Sequence, residues 1–257
     1  MVDRDDLLDG GADHVARTTR RLRELRPDIL IEALVGDFHG HLDSVDVVAD
    51  GGADVFAHNV EVVRRLQRTV RDARCSYDQS LAVLERAKRR WAHSGEARDG
   101  RRLTKSSIMV GLGETDDEVV ETMRDLRAAG VDVVTIGQYL RPTPKHHEVV
   151  RFVTPDVFAD YERRATEMGF AWAASGPLVR SSYRAAEVFI RSVLRAGARD
   201  GDAGLAESVP STLEERLAVA RAAAARVAAT PTPQAERERS ERPDVPLAGL
   251  VRRPPVG

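Results

Sequence analysis

Between residues 28 and 140 short, β-branched apolar runs alternate with longer amphipathic ones, and this alternation constrains the fold more than any other feature of the chain. Asp28–Val35, Ala53–Ala57, Ser106–Leu112 and Val131–Leu140 are bounded by Gly, Asp or Pro and read as buried strands. Helices are expected between them: one from near Gly11 to before Pro27, others over about 60–70 and 78–91. Thr115-Asp116-Asp117-Glu118 is a capping box followed by the stripe Val119, Met123 and Leu126, and Gly130 stands where a helix-ending glycine belongs. Thr154-Pro155-Asp156 opens another helix that Gly169 stops, and Phe170–Ala174 reads as one more strand. Strands separated by helices at this spacing predict an α/β fold of parallel strands with crossover helices, either a barrel or an open doubly wound sheet.

Composition narrows the class. The net formal charge of −2 gives no bulk attraction to nucleic acid or acidic membranes. No 18-residue apolar run is present, and the charged start Met1–Asp6 lacks a signal-peptide core, so a cytoplasmic location is expected. The single cysteine, Cys75, excludes a disulfide within the chain and has no neighbouring His or second Cys, so it reads as a space-filler. Two units are expected: residues 1–186 as the α/β body and 187–257 as an Ala/Arg/Pro-rich tail. Within the tail, Ser211–Ala229 can form a helix whose stripe of Leu213, Leu217, Ala220, Ala224 and Val227 looks too thin to anchor a core. Seven of the twelve prolines lie from Pro210 onward, and the end of the chain is expected to be disordered.

Polar residues at the ends of the expected strands are the candidate site. Gly111-Leu112-Gly113-Glu114 leads from a strand into a capped helix, where glycines admit a ligand to the backbone and a helix start offers N–H groups to an anion. His58-Asn59 and Gln138 follow other strands and could bind a polar cofactor, and Arg141 could pair with a carboxylate. The histidine pairs His39/His41 and His146/His147 lack companion ligands and read as solvated. Arg180-Ser181-Ser182-Tyr183 reads as a polar turn after a strand.

Taken in order, these segments resemble lipoyl synthase, a radical S-adenosylmethionine family. The runs that carry the likeness are Asp3–Leu7 with Asp9–Ala12, Ile31–Phe38, Val55–Asn59, Lys105–Ser107 through Gly111–Thr115, Gly137–Pro142 and Ser175–Tyr183, spanning about residues 3–186. The resemblance implies a partial (β/α)6 barrel, two 4Fe–4S clusters and S-adenosyl-L-methionine. It also implies insertion of two sulfurs at C6 and C8 of an octanoyl group on a lysine of a lipoyl-carrier domain or glycine cleavage H-type protein. By the same resemblance Glu32, Asn59, Gly111, Gly113, Glu114, Gln138 and Arg141 form the cofactor-binding rim, and Ser182, with Ser181 as second choice, is a ligand of the auxiliary cluster; Lys105 reads instead as a strand cap.

The departures are equally specific. The family's cysteine triplets precede the segment that matches Asp3–Asp6, so this chain is expected to lack both triplets and the first two barrel strands. It is then inactive alone, as the product of a mis-called start, a frameshift or a split gene, with an upstream polypeptide supplying the cysteines. A missing strand pair also leaves an exposed sheet edge near Asp28 and a marginal or aggregation-prone fold. The alternative is a cluster-free scaffold for acylated carrier domains. Residues 187–257 carry no recognisable likeness to the family.

Overall fold

The computed structural model describes residues 4, 6–94, 102–182, 190 and 213–229. Five parallel strands, β1 (Glu32–Leu34), β2 (Val55–Ala57), β3 (Leu103–Val110), β4 (Val133–Gln138) and β5 (Trp172–Gly176), lie in one sheet in sequential order. A doubly wound sheet reverses strand order at a switch point. This one does not, which settles the alternatives in favour of a partial barrel. The helices are α1 (Ala12–Leu25), α2 (Leu42–Ala49), α3 (Gln67–Val70), α4 (Tyr77–Ser94), α5 (Asp116–Ala128), α6 (Pro155–Glu167) and α7 (Leu213–Ala229).

Crossovers of one hand put the intervening helices on one side of the sheet, and the packing agrees. Ala33, Val35 and Phe56 point outward into a core built from Ala12, Val45, Val48, Val83, Ala87 and Trp91 of α1, α2 and α4. Ile108, Val110, Val134 and Ile136 point the same way, onto Val119, Met123 and Leu126 of α5 and Phe158, Tyr161 and Ala165 of α6. Trp91 anchors the first group: its indole N–H donates to the Ala49 carbonyl at 3.1 Å and its ring meets Phe56 edge-on at 6.3 Å. The helix expected to end near residue 91 runs on to Ser94; residues 95–101 lie outside the described part.

Local chemistry explains where elements fall short of their expected length. β1 is three residues long because the Ile31 N–H is taken at 2.8 Å by the Asp54 carboxylate, which Arg23 of α1 also grips, and Arg23 further donates to the Ile29 carbonyl. The helix expected over 60–70 is helical only from Arg64. Before it, the Val60 N–H donates to Ser106 Oγ at 3.1 Å and Gln67 donates to the carbonyls of Val60 and Val62, so the chain runs extended along β3. The capping box at α5 forms, with the Thr115 N–H donating to Glu118 at 2.8 Å and Gly130 at φ 84° after the helix. Thr154 occupies the N-cap of α6, but its side chain makes no capping bond. As expected, β1 forms one edge of the sheet; Leu34 on it is 42% exposed.

The inner face is covered at its N-terminal end by α7. Val55, Leu103 and Val133, which open β2, β3 and β4, pack with Ala220 and Ala224, both fully buried, and with Leu217. A thin alanine stripe suffices here because small side chains let a helix lie close against the strands. Ala224→Glu places a charge in that contact and is expected to cost about 3 kcal/mol or more. Ala222→Glu, on the exposed side of the same helix, is expected to stay within about 0.5 kcal/mol. Urea unfolding of both variants checks this; equal midpoints would mean that α7 does not cover the sheet.

Candidate functional site

The C-terminal ends of the strands bring together most of the residues the sequence pointed to. At the end of β3 the chain turns through Gly111 (φ 100°) and Gly113 (φ 102°), and the buried Glu114 carboxylate accepts the N–H groups of Gly111 at 2.6 Å and Leu112 at 2.9 Å. The turn's own N–H groups are therefore taken by the chain's own carboxylate; of those at the start of α5, expected to face an anion, that of Glu118 donates to Thr115 Oγ1 at 3.3 Å. A strap, residues 150–153, crosses this turn: the Val150 N–H donates to the Gly111 carbonyl at 2.8 Å. Gln138, at the end of β4, fastens the strap. Its amide donates to the Arg151 carbonyl at 3.1 Å, and its oxygen accepts the Val153 N–H at 2.9 Å. Gln138 thus spends its side chain on the strap, and Arg141 on its own loop, donating to the His146 carbonyl at 2.9 Å and to Pro144 and Glu148.

Deeper on the inner face, Lys105 of β3 places its ammonium 2.7 and 2.8 Å from the two Glu32 oxygens across two strands. The Lys105 side chain is 4% exposed and that of Glu32 33%. Beyond the end of β2, Asn59 donates to Glu61 at 3.3 Å. Glu61 sits at φ 67°, a left-handed conformation unusual for a non-glycine residue, and is held there because its N–H donates to the Ser107 carbonyl and its own carbonyl accepts the Met109 N–H. Burial raises the Glu61 pKa, with Asn59 opposing. Glu61 escaped the sequence reading, because no local pattern announces its left-handed backbone. Two carboxylates, an amide and an ammonium thus line the inner mouth, a donor and acceptor set suited to hydroxyl and amino groups.

His58 takes no part in this mouth. Its ring turns to the helix side, with Nδ1 3.0 Å from the Val35 carbonyl and Nε2 3.0 Å from Ser80 Oγ. The carbonyl can only accept, so Nδ1 carries the proton and Ser80 donates to Nε2. Burial first, then the nearby Arg71, lowers its pKa to about 4. Between that value and the unfolded one the unfolded chain binds a proton that the folded chain refuses. Stability is therefore full above about pH 6.5 and falls on acidification towards pH 4, by up to about 3 kcal/mol. Urea midpoints at pH 7.5 and 4.5 measure the fall, and His58→Gln should flatten it; an equal fall in the variant would assign it elsewhere.

Ser181 and Ser182 lie in a turn at the same end of the sheet. The loop before them presses on β4 so closely that a Cβ at Gly137 would lie 2.1 Å from the Val179 oxygen. Arg180 donates to the Val179 carbonyl at 2.7 Å and, at 3.4 Å, to that of Gln138. Ser182 is exposed, Ser181 partly so, and Tyr183 lies outside the described residues. Among the described residues no group of three or more His, Cys, Asp or Glu is placed to hold a metal, and no helix is long and apolar enough to cross a membrane. Burial, then Asp37, raises the Cys75 pKa. Since an iron–sulfur cluster takes three or four cysteine thiolates, this chain's residues do not fit one by themselves.

The lipoyl synthase of Sorangium cellulosum (strain So ce56) is 61% identical over 98% of this chain, which covers 72% of that protein. This chain belongs to the lipoyl synthase family. The chloroplastic lipoyl synthase of Sorghum bicolor is 55% identical over 76% of the chain, and the mitochondrial one of Eremothecium gossypii 54% over 76%. The chain spans about half the length of these two, 50% and 51%. No family model matches the chain. The Sorangium match includes most of residues 187–257, so the tail that the sequence left without a likeness has one in this relative.

Proposed function

We propose that this chain forms the part of a lipoyl synthase that binds S-adenosyl-L-methionine and the acyl substrate. The reaction we assign is insertion of two sulfurs at C6 and C8 of an octanoyl group carried on a lysine of a lipoyl-carrier domain or H-type protein, in the cytoplasm. The observation that carries this reading is the convergence of Asn59, Glu61, the Gly111–Glu114 turn and the Glu32–Lys105 pair at one inner strand edge. Asn59 and Glu61 would accept and donate to nucleoside hydroxyls, and the glycine turn would let a flat base approach the backbone. Lys105 holds Glu32 in place, and Glu32, partly exposed, would take a cationic amino group. Gln138 and Glu114 would act by shaping the turn and Arg141 by folding its loop, while Ser182 remains our auxiliary-cluster ligand. The thiolates of both clusters must come from outside these 257 residues.

Co-expression in a host lacking its own lipoyl synthase tests the reading. With a polypeptide bearing the two cysteine triplets that the family resemblance implies, the chain should yield lipoylated carrier; alone it should yield none. Lipoylation by the chain alone would overturn the need for outside thiolates, and failure of the pair would overturn the reading. The single, unactivated Cys75 favours a second reading, a cluster-free scaffold for acylated carriers. That reading requires octanoylated carrier to bind without any lipoyl product even in the paired host.

A further inference from the structure

Three segments that meet at Gln138 each present a large apolar side chain to solvent. Leu140, two residues after Gln138, is 50% exposed; Phe152, between the two strap residues that Gln138 bonds, is 73% exposed; Leu178, beside the Val179 that abuts Gly137, is 82% exposed. Val150 on the same strap is 60% exposed. Solvent-facing apolar groups of this size on separate segments around one point mark an interaction surface rather than scattered exposure. The charge around them is one-sided. Across residues 140–152 and 177–182 stand Arg141, Lys145, Arg151 and Arg180 against the single acid Glu148, on a chain whose net formal charge is −2. Glu148 pairs with Arg141, and Asp116 with Arg151. Arg180 donates only to carbonyls among the described residues, and Lys145 forms no ion pair there.

We infer that this patch is the docking surface for an acidic protein domain bearing an aliphatic acyl group, with Lys145 and Arg180 meeting its carboxylates and Leu140, Phe152 and Leu178 its apolar contact. Electrostatic complementarity selects an acidic partner and speeds its encounter, while apolar anchors at the centre hold it. The position, on the rim beside the inner mouth, would deliver an acyl chain to the strand edge. The inference rests on the function proposed above and adds where and how the carrier is held.

The test measures binding of an octanoylated, acidic carrier domain to the full chain by fluorescence anisotropy, at low and high salt. Lys145→Glu with Arg180→Glu, and separately Phe152→Ser with Leu178→Ser, should each weaken binding at least tenfold. Their melting temperatures should match wild type, since these side chains are solvent-facing. Binding to wild type should weaken with salt, and a carrier with its acids reversed should bind poorly. Equal binding by wild type and both variants overturns the surface while leaving carrier recognition intact. No binding by wild type overturns both. Self-association of the chain that the apolar variant abolishes, without effect on the carrier, would assign the patch to a second copy and overturn the inference.

Discussion

Gly111→Ala is expected to destabilise the chain by about 3–4 kcal/mol, lowering its melting temperature by about 10 °C. A Cβ at this position would stand 2.2 Å from the Gln138 amide nitrogen and 2.6 Å from the Arg151 carbonyl, while the backbone holds φ at 100°. Neither neighbour can yield cheaply. Gln138 spends both ends of its amide on the strap, and the strap's N–H groups in turn bond the Gly111 carbonyl. Relieving the clash therefore breaks several hydrogen bonds, each worth about 1 kcal/mol and more if a buried partner is stranded. Urea and thermal unfolding of the variant measure the loss. The strap carries Phe152, so the same substitution should also weaken carrier binding. Gly113→Ala is the control: its Cβ would meet only Val150 carbons at 3.6 Å or more, leaving the strained φ alone to act. Equal losses at the two positions would mean that the strap gives way without cost.

Glu32→Gln is expected to cost about 3 kcal/mol and Lys105→Met about 1–2 kcal/mol, an order set by which partner water can reach. The Lys105 side chain is 4% exposed, and Glu32 supplies its ion pair; removing that charge strands a cation in the sheet. The Glu32 side chain is 33% exposed, so its carboxylate can recruit water when Lys105 is gone. The double variant Glu32→Gln/Lys105→Met should recover much of the single loss, because a buried pair replaced whole leaves no stranded charge. Chemical denaturation of the three variants forms a double-mutant cycle. The reverse order would mean that the ammonium is hydrated in the folded chain. Under the proposed function Glu32→Gln should also weaken S-adenosylmethionine binding in the paired enzyme more than its stability loss explains.

What could be read in advance follows from the range of each interaction. Strand and helix alternation, the capping box at Thr115, the glycine after α5 and the Ala-rich helix near 213–229 are local signals, carried by residues a turn or a pleat apart. They emerged close to where the structure has them. The strand-end position of Gly111, Gln138 and Arg141 was legible for the same reason, since the end of a strand is a place in the sequence. Their use was not. Whether Gln138 faces a ligand or a strap depends on residues thirteen and fifteen positions away. His58 looked like half of a cofactor pair, and only the packing of α4 showed its ring bonded to Ser80. Glu61 stayed hidden because its backbone conformation is imposed by β3 rather than by its neighbours in sequence.

The sequence by itself determined the α/β class, the family likeness and the limit set by one cysteine, because these rest on residue identity and short-range order. The tertiary structure alone decided the sequential strand order that makes the sheet a partial barrel. It also decided the covering of the inner face by α7, the burial of Lys105 against Glu32 and the meeting of Leu140, Phe152 and Leu178 around Gln138. Those depend on which distant residues a fold brings within a few ångströms of one another, and no local pattern encodes that distance.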